Sequence, residues 1–213
     1  MRQLSLAHRS GLFISLEGID GCGKSTQAML LRDHLEERGR SVVLTKEPGD
    51  WSHGGEIRRI LLDGDLRHEH TELFLFMADR CEHLLQVVIP ALDRGDIVIC
   101  DRYTDSTLAY QCFGRGLDLP FVEGLFDWSR FPVPDMTIWI DVPLSCSLGR
   151  ISSRGKLDRI EEDSAFLDRV RFGFQSLSES YEDRIIRIDG EGEEHVVFSR
   201  LMESLEGLIP WQL

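Results

Sequence analysis

Residues Gly18-Ile19-Asp20-Gly21-Cys22-Gly23-Lys24-Ser25 read G-x-x-x-x-G-K-S, with only Glu17 between them and the apolar run Leu12-Phe13-Ile14-Ser15-Leu16. No other feature constrains the chain as much. Gly18, Gly21 and Gly23 open backbone dihedrals that side-chain-bearing residues avoid, so successive N–H groups can turn toward one point. A strand must enter such a turn and a helix must leave it, adding its positive end to the same point. Thr26 to Arg38 has the helical periodicity this demands. The segment Gly18, Ile19, Asp20, Gly21, Cys22, Gly23, Lys24, Ser25 and Thr26 is therefore expected to cradle nucleotide phosphates. Lys24 would reach the β- and γ-phosphates, and the Ser25 hydroxyl would ligate Mg²⁺.

Strand-like and helix-like runs alternate through the rest of the chain. Ser41–Thr45, Ile97–Cys100, Thr137–Val142 and Ile185–Ile188 are short and apolar. Helical periodicity is expected at 24–38, about 55–62, about 70–93, within 104–129, and at 144–151, 164–182 and 194–208. Five β-branched strands separated by helices predict an α/β fold of the P-loop NTPase kind, a parallel sheet with helices on both faces. Ligands then sit beyond the carboxyl ends of the strands. No repeat or Pro-rich linker divides the 213 residues, so one domain spanning 1–213 is expected, with a mobile excursion at about 152–163.

Bulk properties exclude several classes. No apolar stretch approaches the roughly 20 residues that span a bilayer, and the first ten residues lack the apolar core of a secretory signal, so cytoplasmic residence is expected. A net charge of −13 argues against a nucleic acid polymer as partner. The five cysteines are odd in number and form no C-x-x-C pair, which suggests neither a disulfide framework nor a zinc cluster. Cys22 reads as a small spacer inside the loop, and His68-Glu69-His70 as a solvated connection.

Three further segments carry chemistry. The second strand runs into Thr45-Lys46-Glu47-Pro48-Gly49-Asp50, a turn that would face Glu47 toward the phosphate loop. The third ends in Asp101-Arg102-Tyr103. Asp101 is a candidate for Mg²⁺ or for the acceptor, and the Arg102 guanidinium can clamp a second phosphate, the alternative being a structural ion pair with Asp101 or Glu47. Phe76 and Arg80, four apart on one helix face, can offer a ring and a donor to one nucleobase, although Phe76 also suits an apolar core. The basic segment Arg154-Gly155-Lys156-Leu157-Asp158-Arg159 can close as a lid, or be a solvated charge run.

Together these residues resemble the thymidylate kinase family, from about Leu12 to the end of the chain. Leu16 to Thr26 is similar to the family's phosphate loop, Glu47-Pro48-Gly49 to its E-P-G turn, Ile57-Arg58 to its substrate-phosphate arginine, and Phe76 to Arg80 to its F-x-x-x-R. Asp101-Arg102-Tyr103, Ser106-Thr107-Leu108-Ala109-Tyr110-Gln111 and Gly114-Arg115-Gly116 resemble its most specific stretch, and Asp158-Arg159-Ile160-Glu161 resembles its lid.

The resemblance implies transfer of the γ-phosphoryl of ATP to thymidine 5′-monophosphate (dTMP), with Mg²⁺ held at Ser25 and Asp101. It implies that Phe76 stacks on thymine, Arg80 bonds a base carbonyl, and Thr107 and Gln111 line the base edge. Arg58 and Arg102 would hold the acceptor phosphate, Asp20 the sugar 3′-hydroxyl, and Tyr110 would crowd the 2′ position, with Glu47 and Ser106 completing the acceptor site. Lys24 and Arg102 would act in catalysis. With Gly21 in a position that is arginine in some members, Arg154, Lys156 and Arg159 would make this the lid-arginine type, with Arg154 and Arg159 catalytic. A homodimer is also implied, for which Leu84, Leu85 and Val88 are candidates. Asp50, Trp51, Lys46 and Phe174 depart from the usual pattern, and Asp50 and Trp51 are expected to reshape the loop between Glu47 and Arg58.

Two rivals differ in what they require. A deoxynucleoside kinase needs a carboxylate base at the 5′-hydroxyl, for which Glu47 is the candidate, and the two acceptor-phosphate arginines speak against it. A nucleotide-dependent switch needs slow hydrolysis without an acceptor, and the guanine-specifying N-K-x-D is missing from the sequence.

Overall fold

The computed structural model describes residues 10–152 and 164–205. β1 (Leu12–Glu17) enters the phosphate loop and α1 (Lys24–Glu36) leaves it. There follow β2 (Val42–Lys46), α2 (Gly54–Asp63), α3 (Glu69–His83), a π-helical turn at Leu84–Val88 and α4 (Ile89–Asp93). β3 (Ile97–Asp101) leads into α5 (Thr104–Thr107), a second π-helical stretch at Leu108–Gly114, and α6 (Leu119–Ser129). β4 (Met136–Asp141), α7 (Leu144–Ser152), α8 (Ser164–Ser180), β5 (Ile185–Asp189) and α9 (Glu194–Leu205) complete the described chain.

All four strand pairings are parallel and the order is β2-β3-β1-β4-β5, as expected for the α/β class. Burial follows from position. Every residue of β4 is buried, as are the first four of β3, whereas the edge strands β2 and β5 are only partly covered. A strand covered on both faces cannot alternate polar and apolar residues, which is why Ile97-Val98-Ile99-Cys100 is continuously apolar. Register then sets the site. Leu16 lies opposite Asp101 on one side, and Lys46 lies opposite Asp101 on the other. The phosphate loop, the E-P-G turn and the Asp101-Arg102 corner therefore start at one level, beyond the carboxyl ends of three adjacent strands.

The single helix expected over 70–93 is widened in its middle. The Ile89 N–H bonds the Leu84 carbonyl, and the widened turn directly precedes Pro90, which has no N–H with which to continue the ladder. The same turn decides which residues face out. Leu84 and Val88 are fully buried in the core and cannot serve a dimer face, while Leu85 is 44% exposed. α6 begins as its sequence suggests: the Asp118 carboxylate accepts the Phe121 N–H at 2.8 Å, and Pro120 sits in the first turn. No helix among the described residues is long and apolar enough to cross a membrane.

Candidate active site

The phosphate loop reaches its shape through left-handed backbone at its glycines, with φ of 142° at Gly18, 72° at Gly21 and 103° at Gly23. Lys24 Nζ folds over the loop, donating to the Gly18 and Ile19 carbonyls at 3.1 and 3.0 Å. Cys22 is buried beneath, and burial pushes its thiol upward despite nearby Lys24, so it is a space-filling residue rather than a nucleophile. At the start of α1 the Ser25 hydroxyl donates to Asp101 Oδ2 at 2.5 Å. The two Mg²⁺ candidates, from elements 76 residues apart, thus meet, and both are the hard oxygen donors that Mg²⁺ prefers.

Arg102 lies at the corner after β3 with φ of 73°, a conformation that costs a side-chain-bearing residue roughly 1–2 kcal/mol. Its guanidinium offsets that cost through a fan of contacts. Nη1 donates to the Gly18 carbonyl and the Ser106 hydroxyl, each at 3.2 Å, and Nη2 to Asp20 Oδ1 at 2.5 Å and Tyr110 Oη at 3.2 Å. Tyr110 in turn donates to Asp20 Oδ2 at 2.9 Å. The ion pair considered with Asp101 or Glu47 is instead made with Asp20. Desolvation works to raise the Asp20 carboxyl, but Arg102 and Lys24 overcome it and draw it down to about 2. Asp20 is therefore an ionised acceptor across the physiological range.

A second buried group forms under the E-P-G turn. Arg80, 1% exposed, donates through Nε to Glu47 Oε2 at 2.8 Å and through Nη2 to the Thr107 hydroxyl at 2.9 Å. His83 Nδ1 takes the other Glu47 oxygen at 2.9 Å. Burial opposes ionisation of Glu47, but Arg80 and His83 hold its carboxyl below the ordinary range. Both its oxygens are engaged and its basicity is lowered, which removes the general base that a deoxynucleoside kinase would require. Of the three Arg80 guanidinium nitrogens, buried Nη1 is the one without a hydrogen-bond partner among the described residues.

These groups line one cavity of about 420 Å³. Asp20, Gly21, Gly23, Lys24, Ser25, Thr26, Asp101 and Arg102 form one part of its wall. Glu47, Arg58, Phe76, Arg80, Ser106, Thr107, Tyr110 and Gln111 line another part. Phe76 is half-buried and faces the same space as Arg80, as their four-residue spacing suggested. Arg58 Nη1 donates to the Pro48 carbonyl at 2.9 Å, so it is tied to the E-P-G turn at one end. The departures at Asp50 and Trp51 also have partners. Trp51 Nε1 donates to Asp79 Oδ1 at 2.7 Å, the Gly49 N–H to Asp79 Oδ2 at 3.0 Å, and the Thr45 hydroxyl to Asp50 Oδ2 at 2.9 Å. They pin the turn rather than intrude on the cavity. Arg154, Lys156 and Arg159 lie outside the described residues.

Sequence reasoning missed Arg150 and His83. Arg150 on α7 donates to the Gly21 and Cys22 carbonyls at 3.4 and 3.1 Å and to the Gly190 and Gly192 carbonyls at 3.1 and 3.2 Å. It couples the phosphate loop to the β5–α9 turn, a contact no local pattern announces. His83 is three residues past Arg80 on the same helix, and that spacing was the one available signal.

The site's geometry agrees with three comparisons. The family model described as "Thymidylate kinase" matches residues 16–201. A protein named thymidylate kinase from an Exiguobacterium species is 44% identical over 187 residues, covering 85% of this chain and 88% of its own. One of the same name from Acinetobacter baylyi is 40% identical over 204 residues, covering 93% of this chain and 100% of its own. The crystal structure of thymidylate kinase from Ehrlichia chaffeensis superposes with a TM-score of 0.78 at 33% identity, covering 92% of this chain and 98% of that one. With a phosphate loop, an E-P-G turn and an arginine-lined cavity joined at the ends of β1, β2 and β3, this chain belongs to the thymidylate kinase family.

Proposed function

We propose that the protein transfers the γ-phosphoryl group of ATP to dTMP, releasing ADP and thymidine diphosphate. The observation that carries the reading is the single cavity in which Lys24 and Ser25 lie at one part and Phe76, Arg80, Tyr110 and Gln111 at another. An ATP phosphate tail and a nucleoside monophosphate fit such a cavity end to end. The partner-less Nη1 of Arg80 is a buried donor suited to a base carbonyl, and the Phe76 ring is a stacking surface beside it. Tyr110, held by Asp20 and Arg102, narrows the sugar site and favours deoxyribose.

An oxygen of the acceptor monophosphate attacks the γ-phosphorus, a P–O bond forms, and the bond to the β-phosphate oxygen breaks as ADP leaves. The acceptor is already anionic near neutral pH, so no residue need remove a proton. Rate comes from alignment and charge neutralisation. Arg58 and Arg102 align the acceptor phosphate, and Lys24 balances charge on the β- and γ-oxygens. Mg²⁺, for which Ser25 and Asp101 are the fitting ligands, supplies further neutralisation there when bound. Closure of a lid near 152–163, bringing Arg154 and Arg159 to the transferring group, belongs to the same proposal, as does cytoplasmic residence. So does a homodimer, for which Phe74 and Leu85 on the outer face of the α3 helical rod are the exposed apolar residues.

The test is ADP release with Mg²⁺-ATP across dTMP, the deoxyuridine, deoxycytidine, deoxyguanosine and adenosine monophosphates, and free thymidine. Preference for dTMP is expected. Turnover with free thymidine overturns the assignment of Arg58 and Arg102 to an acceptor phosphate, and turnover with another base alone overturns that of Phe76, Arg80 and Gln111.

A further inference from the structure

The carboxylate of Asp79, which no step of the proposed reaction uses, takes two donors from the turn between β2 and α2. The Gly49 N–H reaches Oδ2 at 3.0 Å, and Trp51 Nε1 reaches Oδ1 at 2.7 Å. Both oxygens are engaged, and Asp79 is 1% exposed. The two oxygens of a carboxylate are fixed relative to each other, so donors two residues apart on one loop close that loop on α3 in a single arrangement. The bond from Trp51 comes with one of this chain's departures from the family pattern. The other side of the same turn carries Arg58, whose Nη1 donates to the Pro48 carbonyl at 2.9 Å. Gly49, at a φ of 102°, lies so close that an added Cβ would stand 2.8 Å from Arg58 Cβ and 3.1 Å from the carbonyl of Gly54, the first residue of α2. Nothing separates them, so a displacement of Gly49 is passed to Arg58.

We propose that Trp51 and Asp79 are positioning residues, a clip that holds Arg58 at a set distance from Phe76 and Arg80, so that the phosphate and the base of one acceptor are met together. Asp79 stands on α3 beside Arg80 and three residues after Phe76, and both of those line the cavity that Arg58 lines. The helix that presents the base end therefore also fixes the phosphate end. Without the clip, the turn and a rotamer-rich arginine must be ordered as the acceptor binds, which weakens binding by about tenfold. With it, that ordering belongs to the folded chain. The loss is confined to the phosphate end, because Glu47 is held separately by Arg80 and His83. The proposal rests on the reading of Arg58 as a ligand of the acceptor phosphate.

The experiment is calorimetric titration of the full chain with dTMP and with thymidine, which lacks the phosphate. Trp51→Phe keeps an aromatic ring and removes the donor. It should weaken dTMP about tenfold and leave thymidine unchanged. Asp79→Asn, with one acceptor oxygen for two donors, should do the same. In the Arg58→Met background the loss from Trp51→Phe should vanish, because both substitutions act on one contact. Equal weakening of dTMP and thymidine, losses that multiply in the double variant, or unchanged dTMP binding in Trp51→Phe overturns the clip. Unchanged dTMP binding in Arg58→Met overturns the reading of Arg58 itself, and the clip with it.

Discussion

Glu17 closes β1 with no exposed surface. Its Oε1 accepts the Tyr103 N–H at 2.8 Å, and Oε2 meets the Ser106 hydroxyl. Burial, reinforced by neighbouring Asp105, raises its carboxyl from 4.5 to about 8. Below pH 4.5 the folded and unfolded chains both hold this proton, and above about 8 neither does. Between those limits only the folded chain holds it, so unfolding releases a proton and rising pH favours unfolding by about 1.4 kcal/mol per pH unit. This contribution is complete below the unfolded value and lost as pH rises through the folded one. Over the whole window it amounts to roughly 5 kcal/mol, comparable with the total stability of many domains. Glu17→Gln has nearly the same shape, keeps an acceptor for Tyr103 and a donor for Ser106, and cannot ionise. Urea unfolding should be followed at pH 5, 6, 7 and 8 by the fluorescence of Trp139, which is buried on β4 beside β1. The variant should match the wild type near pH 5 and exceed it by roughly 4 kcal/mol at pH 8. Parallel pH curves for the two proteins, or a variant weaker by a constant amount, would refute the argument.

Gly21→Ala forces a Cβ to 2.7 Å from the Ser147 carbonyl and 2.8 Å from Ile151 Cγ1, at a φ of 72°. A loss of about 2–4 kcal/mol is expected, seen as a lower melting temperature and weaker stabilisation by ATP. Phe76→Ala should raise the dTMP KM about tenfold through lost stacking while leaving the ATP KM unchanged, as measured by initial rates. Arg154→Ala should lower kcat far more than it weakens ATP binding, because a lid arginine matters chiefly in the transition state. Equal losses in rate and equilibrium binding would remove it from catalysis.

Much of the site was legible because its motifs are local or recur at fixed spacing. Phe76 and Arg80 share a helix face by periodicity alone, and the structure places both on one cavity. The resemblance offered Leu84, Leu85 and Val88 for a dimer face, but the packing of the core buries Leu84 and Val88 and leaves only Leu85 of the three exposed. Arg102 is legible as a cation at a strand end, and the structure places it on the cavity wall. Its partner was not foreseen, since Asp20 lies 82 residues earlier and nothing in either segment encodes the other.

The sequence by itself determined the phosphate loop, the alternation of strands and helices, and the family, because each depends on neighbouring residues or on contiguous motifs. Glycine dihedrals, strand patterning and helix periodicity act within a few residues and need no partner to be read. Only the tertiary structure decided which charges meet. Parallel register brought Lys46, Leu16 and Asp101 to one level. Burial then required Arg80, Glu47 and His83 to satisfy one another, and drew Asp20 to Arg102. A buried charge must find a counter-charge or a hydrogen bond. Which one it finds depends on the fold that removes the water.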